Sequence, residues 1–295
     1  MRSKDFFRLY EQGYRDFKGI DLSGADLSSH ILVEVNLAHA KLCGANLSRT
    51  FLTNATFTKA DLSRANLKFA KMSASNLVEA SLVKANLQGA FCVNANFTLA
   101  NLTGAQLCHA NFRAAKLIGA NVSSVNLTGA NLRNAELTSA DFAWANLTEA
   151  RMVGSAIALA KFPGATFDRA QLNGLNFSRM RLDGVSFKLA SLKGAVFKRS
   201  DLAAANFEGA SLQNSDFSGA QLTGATLAQA NLHKAQFLGA NLSRIDLTDV
   251  DWGDANLADT CLFRQCSNRD PTVGLARLLP SASVPSPFTV SAYSL

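Results

Sequence analysis

The sequence predicts an all-β solenoid, a β-helix with four sides per coil, and three observations carry that prediction. First, an apolar residue returns at every fifth position from Leu22 to Leu262, giving 49 centres without one insertion or deletion. All but six are Leu or Phe, and the exceptions (Met72, Cys92, Val122, Met152, Ile157, Trp252) are apolar as well. Second, Ala holds 34 of the 49 places two positions before a centre, and Asn or Asp usually stands just before it, as in Ala45-Asn46-Leu47-Ser48-Arg49. Third, Phe and Leu alternate strictly along the centres from Phe167 to Phe217. A fixed period over most of a chain decides its architecture.

A step of five turns about 140° past a full circle on an α-helix, so the centres would scatter around it. On a flat strand an odd step changes face each time, and alternate centres would meet solvent. All 49 can be buried only if the backbone turns a corner once per repeat. Calling each centre i, residues i−2 and i share a pleat face, so the Ala and Leu columns both point inward. The Ser, Thr, Asn and Gly elsewhere suit tight turns. An even number of sides lets the alternating segment stack Phe on Phe and Leu on Leu, whereas three sides would mix them. Four sides is the economical solution. It gives about 20 residues per coil, about twelve coils and a rod about 55–60 Å long.

Repeats such as Ala-Asp-Leu-Ser-Arg at 60–64 and Ala-Asn-Leu-Thr-Gly at 100–104 resemble the pentapeptide-repeat family, whose motif is A(D/N)LXX. The resemblance runs over about residues 17–263. It implies a right-handed quadrilateral β-helix and a bacterial protein, but it specifies function weakly, because one fold serves many tasks. Two places depart from the motif. Leu175, Met180 and Val185 put three large side chains at consecutive i−2 positions, and Ile245 and Val250 do likewise beside Trp252. Overpacking a core costs about 1–3 kcal/mol unless its walls move, so a locally widened coil is expected at both.

The ends read differently. Residues 1–16 are too charged for a signal-peptide core and predict a short amphipathic helix, with Ser3 as N-cap and Gly13 as terminator. Such a helix would cover the exposed edge of the first coil. Asp270-Pro271 begins a second expected cap over 264–280, and the Ser- and Pro-rich residues 281–295 predict a disordered tail. No apolar run reaches the length of a membrane span. Five Cys without metal-type spacing predict reduced structural thiols and a cytoplasmic protein.

Little chemistry is left to the chain. Four scattered His, the Cys108-His109 pair and the Asp residues at i−1 (Asp26, Asp61, Asp141, Asp201, Asp246, Asp251) form no metal or paired-carboxylate pattern. The i−1 carboxylates read as a solvated face in which Asp replaces Asn. No cofactor motif appears, and an enzyme is not expected. Charge is more telling. The face of the centres 32, 52, 72 and onward carries Lys71, Arg113, Arg133, Arg151, Lys193 and Lys234, with no acid between Glu34 and Asp251. The adjoining face of 27, 47 and 67 is mixed in sign. A spaced cationic stripe on a rigid rod can track an anionic partner. The expected function is therefore a non-enzymatic binding scaffold for a protein partner. Two alternatives stay open. The topoisomerase-binding, quinolone-resistance branch mimics DNA with an acidic rod, but here the net charge is +7. The other alternative is direct binding of nucleic acid or anionic membrane by the basic face.

Overall fold

The computed structural model describes residues 3–261. The regions expected as a C-terminal cap and a disordered tail, 264–280 and 281–295, lie outside the described residues. Helix α1 (Ser3–Glu11) precedes the coils. From there the i−1 residues, all but Ala156 and Lys161, make parallel bridges to the residues twenty positions on, beginning with Asp16 and Asn36 and reaching Asn241 and Cys261. A repeat of twenty from a motif of five is a coil of four sides.

The five-residue unit closes its own hydrogen bonds. Around Leu47, the Asn46 amide donates back to Ala25 (2.9 Å), Leu47 donates forward to Asn66 (2.7 Å) and Arg49 to Lys68 (2.8 Å). A turn bond from the Ala45 amide to the Leu42 carbonyl (3.0 Å) makes the corner. The i+1 amide is left over, and the side chain at i−1 accepts it: Ser48 donates to Asn46 Oδ1 at 3.2 Å and Ser28 to Asp26 Oδ1 at 3.0 Å. This is the reason for Asn or Asp at i−1. Asp26, Asp61, Asp141, Asp201 and Asp246 are thus turn caps rather than a merely solvated face, while Asp251 faces His233 at 3.4 Å. At i+2 the backbone is left-handed, as at Arg49 (φ 57°) and Gly104 (φ 68°), which matches the third residue of a type II turn.

The core is a filled axis. Every centre from Leu22 to Leu242 is at most 3% exposed. The alternating segment stacks as expected. Phe167 lies on Phe187 (5.2 Å between ring centres, 3° between planes), and Phe177 on Phe197 (5.0 Å, 4°). Across the axis the two columns meet edge to face, as for Phe197 and Phe207 at 5.6 Å and 86°, a favoured aromatic geometry. Where Ser or Thr replaces Ala at i−2, the buried hydroxyl donates to a backbone carbonyl, Thr50 to Leu27 (2.9 Å) and Ser75 to Leu52 (2.7 Å).

Helix α1 ends as expected at Gly13. The Gly13 amide donates to Tyr10 and the Tyr14 amide to Leu9, both at 3.0 Å, with Gly13 at φ 96°; this is a Schellman ending. The apolar side of α1 lies on the first coil. Phe6 is fully buried, with its ring 4.5 Å from that of Phe17. Phe7 stacks on His30 at 3.8 Å, and Tyr10 Oη donates to the Val33 carbonyl at 3.0 Å.

The large i−2 residues act differently from the expected widening. Around Leu175, Met180 and Val185 the coil keeps its twenty-residue register and its corner bonds, but it parts from the preceding coil along the rod axis. Among the described residues the bridges Ala156 to Asn176 and Lys161 to Arg181 are missing from the series, although their neighbours Arg151 to Gln171 and Thr166 to Ser186 are present. One large i−2 residue leaves the seam closed: at Val125 the corner bond to Val122 is not made and the following ladder bond, Asn126 to Ala105, lengthens to 3.2 Å, but the bridge from Gln106 to Asn126 persists. Three in succession exceed what one seam can absorb. Each ladder bond is worth about 0.5–1.5 kcal/mol net when water replaces the partner, so opening two sides is comparable to the strain of forcing the side chains in. At Ile245 and Val250 no seam opens, and the bonds from Leu227 to Asp246 and from Leu232 to Asp251 persist at 2.8 and 2.7 Å. Those side chains and Trp252 are only half-buried, so their bulk is taken up without displacing the coil before them. Cys43, Cys92 and Cys108 are free, while Cys261 is disulfide-bonded, which departs from the expected set of reduced thiols.

Candidate functional site

The bridge series fixes which residues share a side. Ile31, Phe51, Lys71, Phe91, Asn111, Asn131, Arg151 and Gln171 follow one another coil by coil, and the column continues to Asp251. All six expected cations therefore stand on one face, because each belongs to a five-residue side of this column. They do not form one cluster. Arg113 and Arg133 occupy equivalent i+1 positions on consecutive coils, and Arg151 sits at i−1 of the next, about 5 Å further along the rod. Lys71 precedes this triplet by two coils; Lys193 and Lys234 follow at intervals of two coils.

Five of the six are exposed and Lys71 is half-buried. Lys71 is engaged rather than waiting, with Nζ 3.5 Å from the centre of the Phe91 ring, a cation–π contact. Arg133 Nη2 donates to Gln171 Oε1 at 3.2 Å, which leaves its charge unneutralised. Among the described residues none of the six belongs to an ion pair. Other sides handle charge differently, setting an acid one coil away from a base: Lys59 with Glu79 (3.4 Å), Lys116 with Glu136 (3.9 Å), Arg169 with Glu149 (3.8 Å) and Lys188 with Glu208 (2.9 Å). Among the described residues the cationic face has one pair set this way, His233 with Asp251 (3.4 Å), and none of its six Lys and Arg takes part.

A second property of this face was missed in the sequence. Its N-terminal end is apolar at the outward i−1 position, with Ile31 65%, Phe51 44% and Phe91 39% exposed. The signal was present: Phe51 and Phe91 stand one residue before a centre, where the motif places Asn or Asp. The face thus passes from an apolar stretch through Lys71 to the arginine triplet.

Elsewhere several ionisable groups are structural. Amide and hydroxyl donation from Ser23 and Ser28 holds the Asp21 and Asp26 carboxyls below the usual carboxylate range. At Asp246 the Thr248 hydroxyl and amide do the same. These carboxylates are held ionised as hydrogen-bond acceptors, the wrong state for proton donation. Burial pushes the Cys92 thiol up, away from thiolate chemistry. Among the described residues no group of three His, Cys, Asp or Glu could hold a metal ion, and no helix is long and apolar enough to cross a membrane.

No curated protein matches the chain in sequence. Solved structures similar to it include HetL, a pentapeptide repeat protein involved in heterocyst differentiation regulation from the cyanobacterium Nostoc sp. strain PCC 7120. That match has 29% identity and a TM-score of 0.34, and covers 89% of this chain and 97% of that one. QnrB1, a plasmid-mediated fluoroquinolone resistance protein, matches at 15% identity with a TM-score of 0.39, over 89% and 97% of the two chains. A pentapeptide repeat protein of the Arabidopsis thaliana thylakoid lumen matches at 31% identity with a TM-score of 0.27, over 36% of this chain and 75% of that one. The family model for pentapeptide repeats (8 copies) matches residues 31–68, 75–113 and 115–154, and that for the pentapeptide repeat region matches 159–237 and 190–270. With more than half its length matched, the chain belongs to the pentapeptide-repeat family.

Proposed function

We propose that this protein is a non-enzymatic binding scaffold, a rigid rod that docks an acidic protein surface on the side holding Arg113, Arg133 and Arg151. The observation that carries this reading is that this side holds six Lys and Arg with no acid between Glu34 and Asp251, whereas other sides set several of their bases against acids one coil away. The adjoining apolar residues Ile31, Phe51 and Phe91 suit a protein partner, since an interface core is apolar and its rim polar. Three arginines about 5 Å apart match poorly the spacing of phosphates along an extended strand, so nucleic acid is the weaker fit. The charge has the wrong sign for a DNA mimic.

Replacing Arg113, Arg133 and Arg151 together with Gln tests the reading. Capture of partners from the native cell extract should weaken, and its dependence on salt should flatten as fewer charges are screened. Duplex DNA and phosphatidylserine vesicles, assayed in parallel, should bind neither protein. Unchanged capture across salt concentrations would reduce the stripe to a solvated surface.

A further inference from the structure

The seam forced open by Leu175, Met180 and Val185 is a cleft of about 900 Å³ between two coils. Each bounding coil stays paired on its far side, with Leu137 donating to Ala156 (2.8 Å) above and Phe177 to Val196 (2.7 Å) below. Towards the cleft, the amides of Ile157, Leu159 and Phe162 have no backbone acceptor among the described residues, and the carbonyls of Asn176, Ser178 and Arg181 have lost the donors their counterparts hold in neighbouring coils. The opposite set is also unmade: the Asn176 and Arg181 amides face Ser155 and Ala160 without a bond. Both lips therefore present alternating donors and acceptors in the geometry of a parallel strand edge.

The side chains complete a peptide site. Phe162 and Met180 give it an apolar floor, and Leu159, 76% exposed, stands at the lip. Lys161, Arg179 and Arg181 surround the mouth. Asp183 lies 3.8 Å from Arg181, so Lys161 and Arg179 remain without an ion pair among the described residues. We propose that this cleft binds an extended acidic peptide of a partner protein, which adds a short strand to the open ladder and sets a carboxylate against Lys161 and Arg179. Main-chain bonds would supply the affinity, and the floor and cations the choice of sequence. The chain's own residues 271–295 are a poor occupant on charge, since they contain Arg277 and no Asp or Glu. The cleft lies on the sides opposite and adjacent to the arginine triplet, so this inference is independent of the function proposed above.

The test is to pan a random nine-residue phage peptide library against the full chain, with counter-selection on the Leu175→Ala/Met180→Ala/Val185→Ala protein, in which the seam should close. Enriched peptides should carry Asp or Glu, and should slow hydrogen exchange at the Ile157, Leu159 and Phe162 amides. Lys161→Glu/Arg179→Glu, a change of exposed side chains, should weaken them at least tenfold. The Arg113, Arg133 and Arg151 triple Gln substitution should leave their binding unchanged. Three results would overturn the proposal: peptides that bind the triple-Ala protein as well as the native chain, enriched peptides that leave those amides exchanging as before, or the same amides already protected in the free full-length chain.

Discussion

At the scale of a residue, the repeat is a division of labour among five positions with different physical tolerances. The i+2 positions show this most plainly. Their non-glycine members, Asp254 excepted, hold φ between 54° and 61°, a region that β-branched side chains avoid. From residue 19 to residue 259 no i+2 position is Val, Ile, Thr or Pro, although the residue just before it often is (Thr53, Val78, Val93, Ile118). The inward positions obey a different rule. Leu102 is fully buried, whereas its neighbour Thr103 is half-buried and donates to Asn101 Oδ1 at 2.7 Å. Leu102→Ala should lower stability by about 2–5 kcal/mol, while Thr103→Ala should shift it by less than about 1 kcal/mol. Urea unfolding of the two substituted proteins measures both, and equal shifts would contradict the inward and outward assignment. What the sequence could not show at this scale was the purpose of Asn and Asp at i−1. A recurring polar residue looks the same whether it meets solvent or caps a turn, and only the placed i+1 amide distinguishes them.

At the scale of an element, helix α1 and the coil seam are the places where the regular ladder stops. The backbone amides of Asp26 and Ile31 have no coil in front of them, and α1 lies over this end of the rod with Phe6 on Phe17. An uncovered ladder edge with an apolar centre is a template for another chain. Deleting residues 1–16 should therefore produce concentration-dependent end-to-end association, visible as growing mass in light scattering. A truncated rod that stays monomeric and equally soluble would make the helix dispensable. The four-sided coil was legible because Phe167, Phe187 and Phe207 can stack on one another only with an even number of sides. The seam was half-legible. Three large residues at small positions announce strain, but the sequence does not say whether a coil relieves it by growing wider or by parting from its neighbour. Parting wins because the corner bonds are local to each coil, whereas the ladder between coils is the boundary on which the oversized side chains push. The apolar end of the candidate face was missed for a simpler reason. Phe was expected at centres, and Phe51 and Phe91 stand one place earlier.

At the scale of the whole molecule, contacts between coils link residues about twenty apart. Stability in such an array approaches a sum of local terms, and each face is assembled from short segments drawn from every coil. The cationic face therefore exists only as an alignment of distant parts. Removing the twenty residues 80–99 should shorten the rod by one coil, and Lys71 should still share a face with Arg113, Arg133 and Arg151. Removing the five residues 120–124 should leave a folded rod with every centre still buried, but Arg133 and Arg151 would then stand a quarter turn away from Arg113. Circular dichroism should find both shortened proteins folded, and partner capture should persist after the first deletion, weakened by the loss of Phe91, and fail after the second. Loss of folding in the five-residue deletion would show that the sides are not interchangeable. The register of twenty thus gives the gene two reading frames above the codon. An insertion worth one side preserves the fold and scrambles the surface, whereas one worth a full coil preserves both, so a rod of this kind can lengthen by duplication without forgetting what it binds.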